Sequence, residues 1–412
     1  MRRTSLSLLQ RGICSAAQTP SAAPALRRSP PAAAALYARA AADPRKVHGL
    51  ISGATRARAL LSLHDEHGTS FNHVNLANCW SKLGAAGASE RSWLRSDDGA
   101  QLSALRAHTR HQAFRFDARH VSNTAHALAT LELRGSDWGP LWRGLERVVV
   151  ARTRELQPPE LATTARAFAT AGYATPALFG EIASVSERQV VQFNATQLAN
   201  TAWAFAKAGI AAPALFDAIS SQATPRVREF EPQELADTVW AFAKARHRRP
   251  SLFDVVGKVS AWRVKEFTPQ ALANTAWAFA THRHLHKLLF AAIALEAAPR
   301  VRELEPQGLA NMAWAFGKAS HAAPELFDAI GREAAGRVGK LEPQDLANMA
   351  WAFAKVGHDA PALFDAIGKE SGGRVGEFEP QDLANMEWAF AKFGHAAPAL
   401  FDAIGKGVSA EV

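Results

Sequence analysis

A leading apolar residue falls at Leu156, Phe193, Phe230, Phe267, Leu304, Leu341 and Phe378, and every successive difference is 37 residues. Each opens a near-copy of one frame, for example FEPQELADTVWAFAKA from Phe230 and LEPQDLANMAWAFAKV from Leu341. Weaker copies begin at Phe116, 40 residues before Leu156, and at Phe71, 45 residues earlier still. A fixed period of roughly 20 to 50 residues is the signature of a solenoid, in which each unit buries its face only against its neighbours. The nine units override the rough expectation of about three domains for a chain of 412 residues.

Each unit carries two helical signals. In the unit from Phe267, Thr268 is placed to cap, Pro269 takes the first helical position where its missing N–H costs nothing, and the helix runs to about Ala280. Gly172, Gly209, Gly357 and Gly394 stand where a left-handed cap closes the equivalent helix. A second proline (Pro176, Pro213, Pro250, Pro324, Pro361 or Pro398) then opens a second helix of the form PALFDAI. No window alternates apolar and polar residues as a strand does, so the predicted class is all-α: an α-solenoid of about nine helical hairpins.

Placed at 100° per residue, Leu235, Ala236, Val239, Trp240, Phe242 and Ala243 spread over a wide arc, as a helix needs if it touches both its partner and the next unit. Asp237, Ala241 and Lys244 fall opposite. The small residues recurring there (Ala204, Ala241, Ala278, Ala315, Ala352, Ala389) are expected to let a neighbouring chain or ligand approach the backbone.

Residues 1–46 follow another grammar. They hold seven arginines and Lys46 against the single acid Asp43, amid Ala, Ser, Leu and Pro, the composition of an organellar transit peptide. The expected domains are therefore a leader over 1–46, degenerate repeats over 47–155 and the regular array over 156–412. The expected address is the mitochondrial matrix, with the plastid stroma as alternative. The leader supplies eight minus one, or +7, of the net +9, leaving about +2 for the rest. Overall basicity is thus no evidence for nucleic acid, and only the placement of charge within the repeats bears on it. Of the two cysteines, Cys14 lies in the leader and Cys79 stands alone, so neither a disulfide framework nor a cysteine metal site is expected.

Charges in the array form columns. Lys207, Lys244, Lys318, Lys355 and Lys392 end the first helix, where a cation also complements the helix dipole. Arg226, Arg263, Arg300, Arg337 and Arg374 stand in the turn before the next unit and would form a row at repeat pitch, as a phosphate-tracking surface needs. Asn200, Asn274, Asn311, Asn348 and Asn385, with Asp237 in the same place, either bridge neighbouring units or face a ligand with donor and acceptor together. Near-identical asparagines discriminate bases poorly, so the variable neighbours are the better base-reading candidates. These are Gln197, Glu234, Asp345 and Asp382 upstream, and Thr201, Thr238, Thr275, Met312, Met349 and Met386 just after. The tryptophans Trp203, Trp240, Trp277, Trp314, Trp351 and Trp388 read first as inter-unit packing and second as base-stacking platforms. His247, His284, His321, His358 and His395 recur one per unit, a ladder and not the converging cluster a metal needs. No phosphate-binding loop, nucleophile elbow or kinase signature occurs, and neither catalysis nor a cofactor is expected. In the unit from Phe378, Glu387 replaces the alanine seen at Ala276, Ala313 and Ala350 and is expected to face solvent as a partial cap.

The frame PQ-x-LAN-x-x-WAFAK followed by P-x-LF-x-AI resembles the octotricopeptide-repeat proteins of algal organelles, and more distantly the leucine-rich repeat region of FAST-kinase-domain proteins. The resemblance covers Leu156 to Ile404 and is faint from Phe71 to Leu131. It implies an α-solenoid that binds single-stranded organellar RNA and acts in transcript stabilisation, processing or translation, without a membrane partner and within reach of other proteins of an RNA-processing complex. The period is 37 where that family usually has 38, and the RAP domain that many relatives carry at the C-terminus is not expected in this sequence. The same architecture also suits a protein-binding scaffold of the HEAT or armadillo kind, since fold does not fix function.

Overall fold

The computed structural model describes residues 43–96, 100–398, 400–402 and 405. The predicted leader lies outside them save its last four positions, where the Asp43 carboxylate accepts from the Arg45 amide and caps a helix over Pro44–Gly53. Among the described residues every regular element is helical, and no helix is long and apolar enough to cross a membrane.

A regular unit is two α-helices and a 3₁₀ turn, the last of which the sequence pattern does not announce. In the unit from Phe230 the helices span Pro232–Lys244 and Pro250–Trp262, and the turn spans Val264–Glu266. Proline opens both because its missing N–H is one of the orphan donors of a first turn. The column that closes the first helix is left-handed throughout. Gly172, Gly209, Gly357 and Gly394 have φ of 79°, 68°, 78° and 69°, and the same place is held by Arg246, Arg283 and Ser320 at φ of 54°, 54° and 50°. The three side chains carry the strain that glycine avoids.

First helices pack side by side in one layer and second helices in another, each unit against the next. The alanines Ala204, Ala241, Ala278, Ala315, Ala352 and Ala389 are fully buried between consecutive first helices. Their small size lets those helices approach: a Cβ added at Gly317 would stand 2.9 Å from the Ala352 Cα. The close approach expected of them is therefore made by the neighbouring helix and not by a ligand. Between the layers, a phenylalanine of each second helix meets one from the next first helix edge to face. Ring centroids are 5.0 Å apart for Phe216 and Phe242, 5.0 Å for Phe253 and Phe279, and 5.1 Å for Phe290 and Phe316. Each such pair contributes about 0.5–1.5 kcal/mol beyond its buried area.

The histidine column has a structural use. His284 pairs with Asp254 at 2.9 Å and His358 with Asp328 at 2.9 Å, so each clips its unit to the preceding second helix. His321 has Ala291 where its sisters have the aspartate. Among the described residues no group of three His, Cys, Asp or Glu side chains is placed to hold a metal ion. Glu387 is exposed where Ala350 is buried, as expected of that position.

Relief of the left-handed strain is measurable. Ser320→Gly is expected to stabilise the array by about 0.5–1 kcal/mol, and Gly357→Ala to destabilise it by at least as much. Opposite shifts in the thermal midpoint would show it; a midpoint lowered by Ser320→Gly would not fit.

Candidate nucleic-acid interface

Residues at i, i+4, i+7 and i+11 share one face of an α-helix. The first helices of the units from Leu304, Leu341 and Phe378 place Gln, Asn, Trp and Lys at this spacing, as Gln307, Asn311, Trp314 and Lys318 do, and the three units before them depart at one position each, with Thr196, Asp237 and Thr281. Because consecutive first helices lie side by side, the four columns run together across the array. They line a groove of about 750 Å³ from Trp203 to Asn348. The glutamines and lysines are exposed along it, and the asparagines and most tryptophans are half-buried in its floor.

Trp203, Trp240 and Trp277 form a ladder. Trp203 and Trp240 have ring centroids 6.2 Å apart at 31°, and Trp240 and Trp277 are 6.4 Å apart at 35°. The rings are tilted against one another, and each is partly exposed. The asparagines do not bridge units in the regular part of the array. Asn274 and Asn385 instead accept from Gln270 and Gln381 of their own helices, at 3.1 and 3.3 Å.

The exception lies at the N-terminal end of the groove. Arg166 stands in the tryptophan position of its unit, stacks over the Trp203 ring at 4.3 Å and donates to the Asn200 carbonyl at 2.9 Å. The same guanidinium reaches Asp237, two units away, at 3.3 Å, and Gln233 donates to the other Asp237 oxygen at 2.8 Å. Burial pushes the Asp237 carboxyl above its usual range, and Arg166 offsets part of that rise. Sequence periodicity misses this latch, because Arg166 and Asp237 are the residues that depart from their columns.

The two cationic columns have different situations. Nη1 of Arg226, Arg263, Arg300 and Arg374 donates to the carbonyl of Phe193, Phe230, Phe267 and Leu341, 33 residues earlier, at 2.7, 2.6, 3.0 and 3.0 Å. Glutamates complete the enclosure: Glu229 pairs with Arg226, Glu266 with Arg263, Glu296 with Arg300, Glu333 with Arg337 and Glu370 with Arg374. The expectation of a free phosphate-tracking row is thus corrected. Four of the arginines tie the turn that closes a unit to the residue that opens the same unit, and the charge of all five is already matched. Among the described residues, Lys207, Lys244, Lys318 and Lys355 pair with no carboxylate, and all four are exposed. Lys318 and Lys392 instead lie over the rings of Trp314 and Trp388, at 6.0 and 5.5 Å.

The expected base readers are also redistributed. Thr201, Thr238, Thr275, Met312, Met349 and Met386 are fully buried between helices, so the expectation that they touch a base is corrected. The residue after the asparagine is one helical step, 100°, off the groove face. Gln197 and Glu234 accept from the backbone N–H of Asn194 and Glu231, closing capping boxes at the helix start, a role that replaces base reading. Asp345 borders the groove but is only 7 % exposed, and Asp382 is 8 % exposed in the next unit.

A family model described as "RESC6: RNA-editing substrate-binding complex 6 protein" matches residues 100–356, more than half of the chain. The match overlaps the regular frame and extends into the weaker N-terminal units. No curated protein matches the chain.

Burial raises the Asp345 carboxyl to about 6, with a backbone hydrogen bond at Glu342 opposing the rise. The folded chain therefore holds this proton more tightly than the unfolded one. Its stabilising effect is complete below about pH 4 and is lost as pH rises through about 6, leaving a buried carboxylate that costs stability at pH 7. Asp345→Asn keeps a side-chain acceptor for the cap. It is expected to be more stable than the parent at pH 7 by on the order of 1–3 kcal/mol, with the gap closing near pH 4. Thermal unfolding of both chains across that range checks it.

Proposed function

The chain belongs to the RNA-editing substrate-binding complex 6 protein family, and we propose that it binds single-stranded RNA along this groove, as a non-catalytic member of a protein complex that processes organellar RNA. The observation that carries the reading is the registration of four columns on one surface. Exposed lysines free of carboxylates offer a track for phosphates, tryptophan faces offer platforms for bases, and uncharged amides offer donors and acceptors between them. Proteins that hold single strands combine these elements, and base stacking on an aromatic contributes about 1–3 kcal/mol. A slot lined by half-buried side chains favours a strand whose bases can be splayed over one whose bases are paired.

Participation in a complex is supported by the second-helix layer. Trp262 is 86 % exposed, Leu295 80 % and Leu288 76 %, an apolar display on the layer that does not line the groove. The leader's composition supports a mitochondrial address, with residues 1–46 as the signal.

Two measurements test this. Lys244→Ala, Lys318→Ala and Lys355→Ala combined are expected to weaken binding of single-stranded RNA without moving the thermal midpoint. The slope of log affinity against log salt should flatten by about 0.7 for each phosphate no longer neutralised. The matching triple substitution of Arg263, Arg300 and Arg337 should instead lower the midpoint, through the carbonyl bonds and ion pairs it removes. RNA affinity untouched by the lysine changes would sink the groove assignment. Separately, a reporter carrying residues 1–46 is expected in mitochondria, and a cytosolic reporter would refute the address.

A further inference from the structure

Resting on the RNA-binding reading of the groove, we infer that the four C-terminal units of the array, three along the groove and the last beyond its lining, select a run of pyrimidines, one base per repeat. The first ground is uniformity. Gln270, Asn274 and Trp277 recur unchanged as Gln307, Asn311 and Trp314, as Gln344, Asn348 and Trp351, and as Gln381, Asn385 and Trp388. Helical-repeat proteins that read one base per unit do so with two or three side chains, and different bases require different side chains. Four identical stations in tandem therefore present one chemistry four times, which matches a tract of a single base class.

The second ground is the direction of the amides. In the units from Phe267 and Phe378 the glutamine Nε2 donates to the asparagine Oδ1, which engages the asparagine acceptor. The Gln270 Oε1 is turned toward the next unit, 2.9 Å from the place of a Cβ on Gly308, so it too is directed away from open groove. At Gln270 and Asn274, then, the groups left unengaged are rich in donors, both asparagine Nδ2 hydrogens and the second glutamine Nε2 hydrogen, and the same side chains recur in the next three units. A donor-rich station favours a base edge rich in acceptors. Uracil offers O2 and O4 around one N–H, and cytosine offers O2 and N3 beside one amino group. Adenine offers a single Watson–Crick acceptor beside its amino group, and guanine sets one acceptor against two donor groups, so purine edges oppose donor to donor.

The third ground is where the uniform stretch begins. At the N-terminal end Arg166 covers the Trp203 ring and occupies the acceptors of Asn200 and Asp237. Those two stations are closed by the protein's own side chain, and the groove is open from the unit of Gln270 onward.

The test uses the full chain and fluorescently labelled decamers of uridine, cytidine, adenosine and a mixed sequence, with binding followed by anisotropy at fixed salt. The uridine and cytidine decamers are expected to bind at least about tenfold more tightly than adenosine. Asn274→Ala, Asn311→Ala and Asn348→Ala combined should abolish that preference while leaving adenosine binding within about twofold. Circular dichroism verifies the fold of the triple variant, and Asn311→Ala alone, expected to reduce the preference, serves if the triple variant does not fold. Equal affinity for all decamers, a purine preference, or a pyrimidine preference that survives removal of the asparagine amides would overturn the inference and leave the groove reading standing. Absence of binding to every decamer would overturn both.

Discussion

The structure depends on the edge-to-face contact between a phenylalanine of one second helix and a phenylalanine of the next first helix. Phe327 and Phe353, with ring centroids 4.8 Å apart, illustrate it. Neither ring has a complete partner within its own hairpin, so a unit alone leaves half of the pairing unmade. Stacking supplies it, with the rings inclined at 63° to 74° to one another from unit to unit. The alanine stripe sets the distance between first helices, and the arginine–carbonyl bonds tie down the 3₁₀ turns. Everything in the groove inherits its spacing from these interactions, including the tryptophan ladder and the lysine track.

Much of this was legible in the sequence because a repeat multiplies weak local signals. One proline before one amphipathic stretch means little. The same proline at Pro232, Pro269, Pro306, Pro343 and Pro380 fixes a helix start, and the glycine column fixes its end. The columns were visible too, but their direction was not. Thr275 and Asn274 are adjacent in sequence and differ by a helical step that takes one into the core and leaves the other in the groove. The arginines were misjudged for a different reason. Their partners, the carbonyl that opens the same unit 33 residues earlier and glutamates in and around the turn, come together only once the turn is formed. The Arg166–Asp237 latch was beyond reach, since it joins two departures from the pattern 71 residues apart.

The separation of charge has a physical logic. Arginine holds several acceptors in a fixed fork, which suits a link between a carbonyl and a carboxylate. Lysine carries a compact, mobile charge, which suits a track that meets phosphates without fixing their register. The array uses the first for cohesion and leaves the second to solvent.

The alanine opposite His321 sets the array's mechanical character. Beyond the Arg166 latch each unit leans on its neighbours, so the molecule is a chain of joints in series, and a bending load is carried in full by each joint. In such a chain compliance is not shared equally; the softest joint takes most of the strain. The joint between the units from Phe267 and Leu304 lacks the Asp–His clip of its sisters, because Ala291 stands in the aspartate's place. That joint has one cross-link fewer than its neighbours at His284 and His358, so the groove is expected to bend more readily there than on either side.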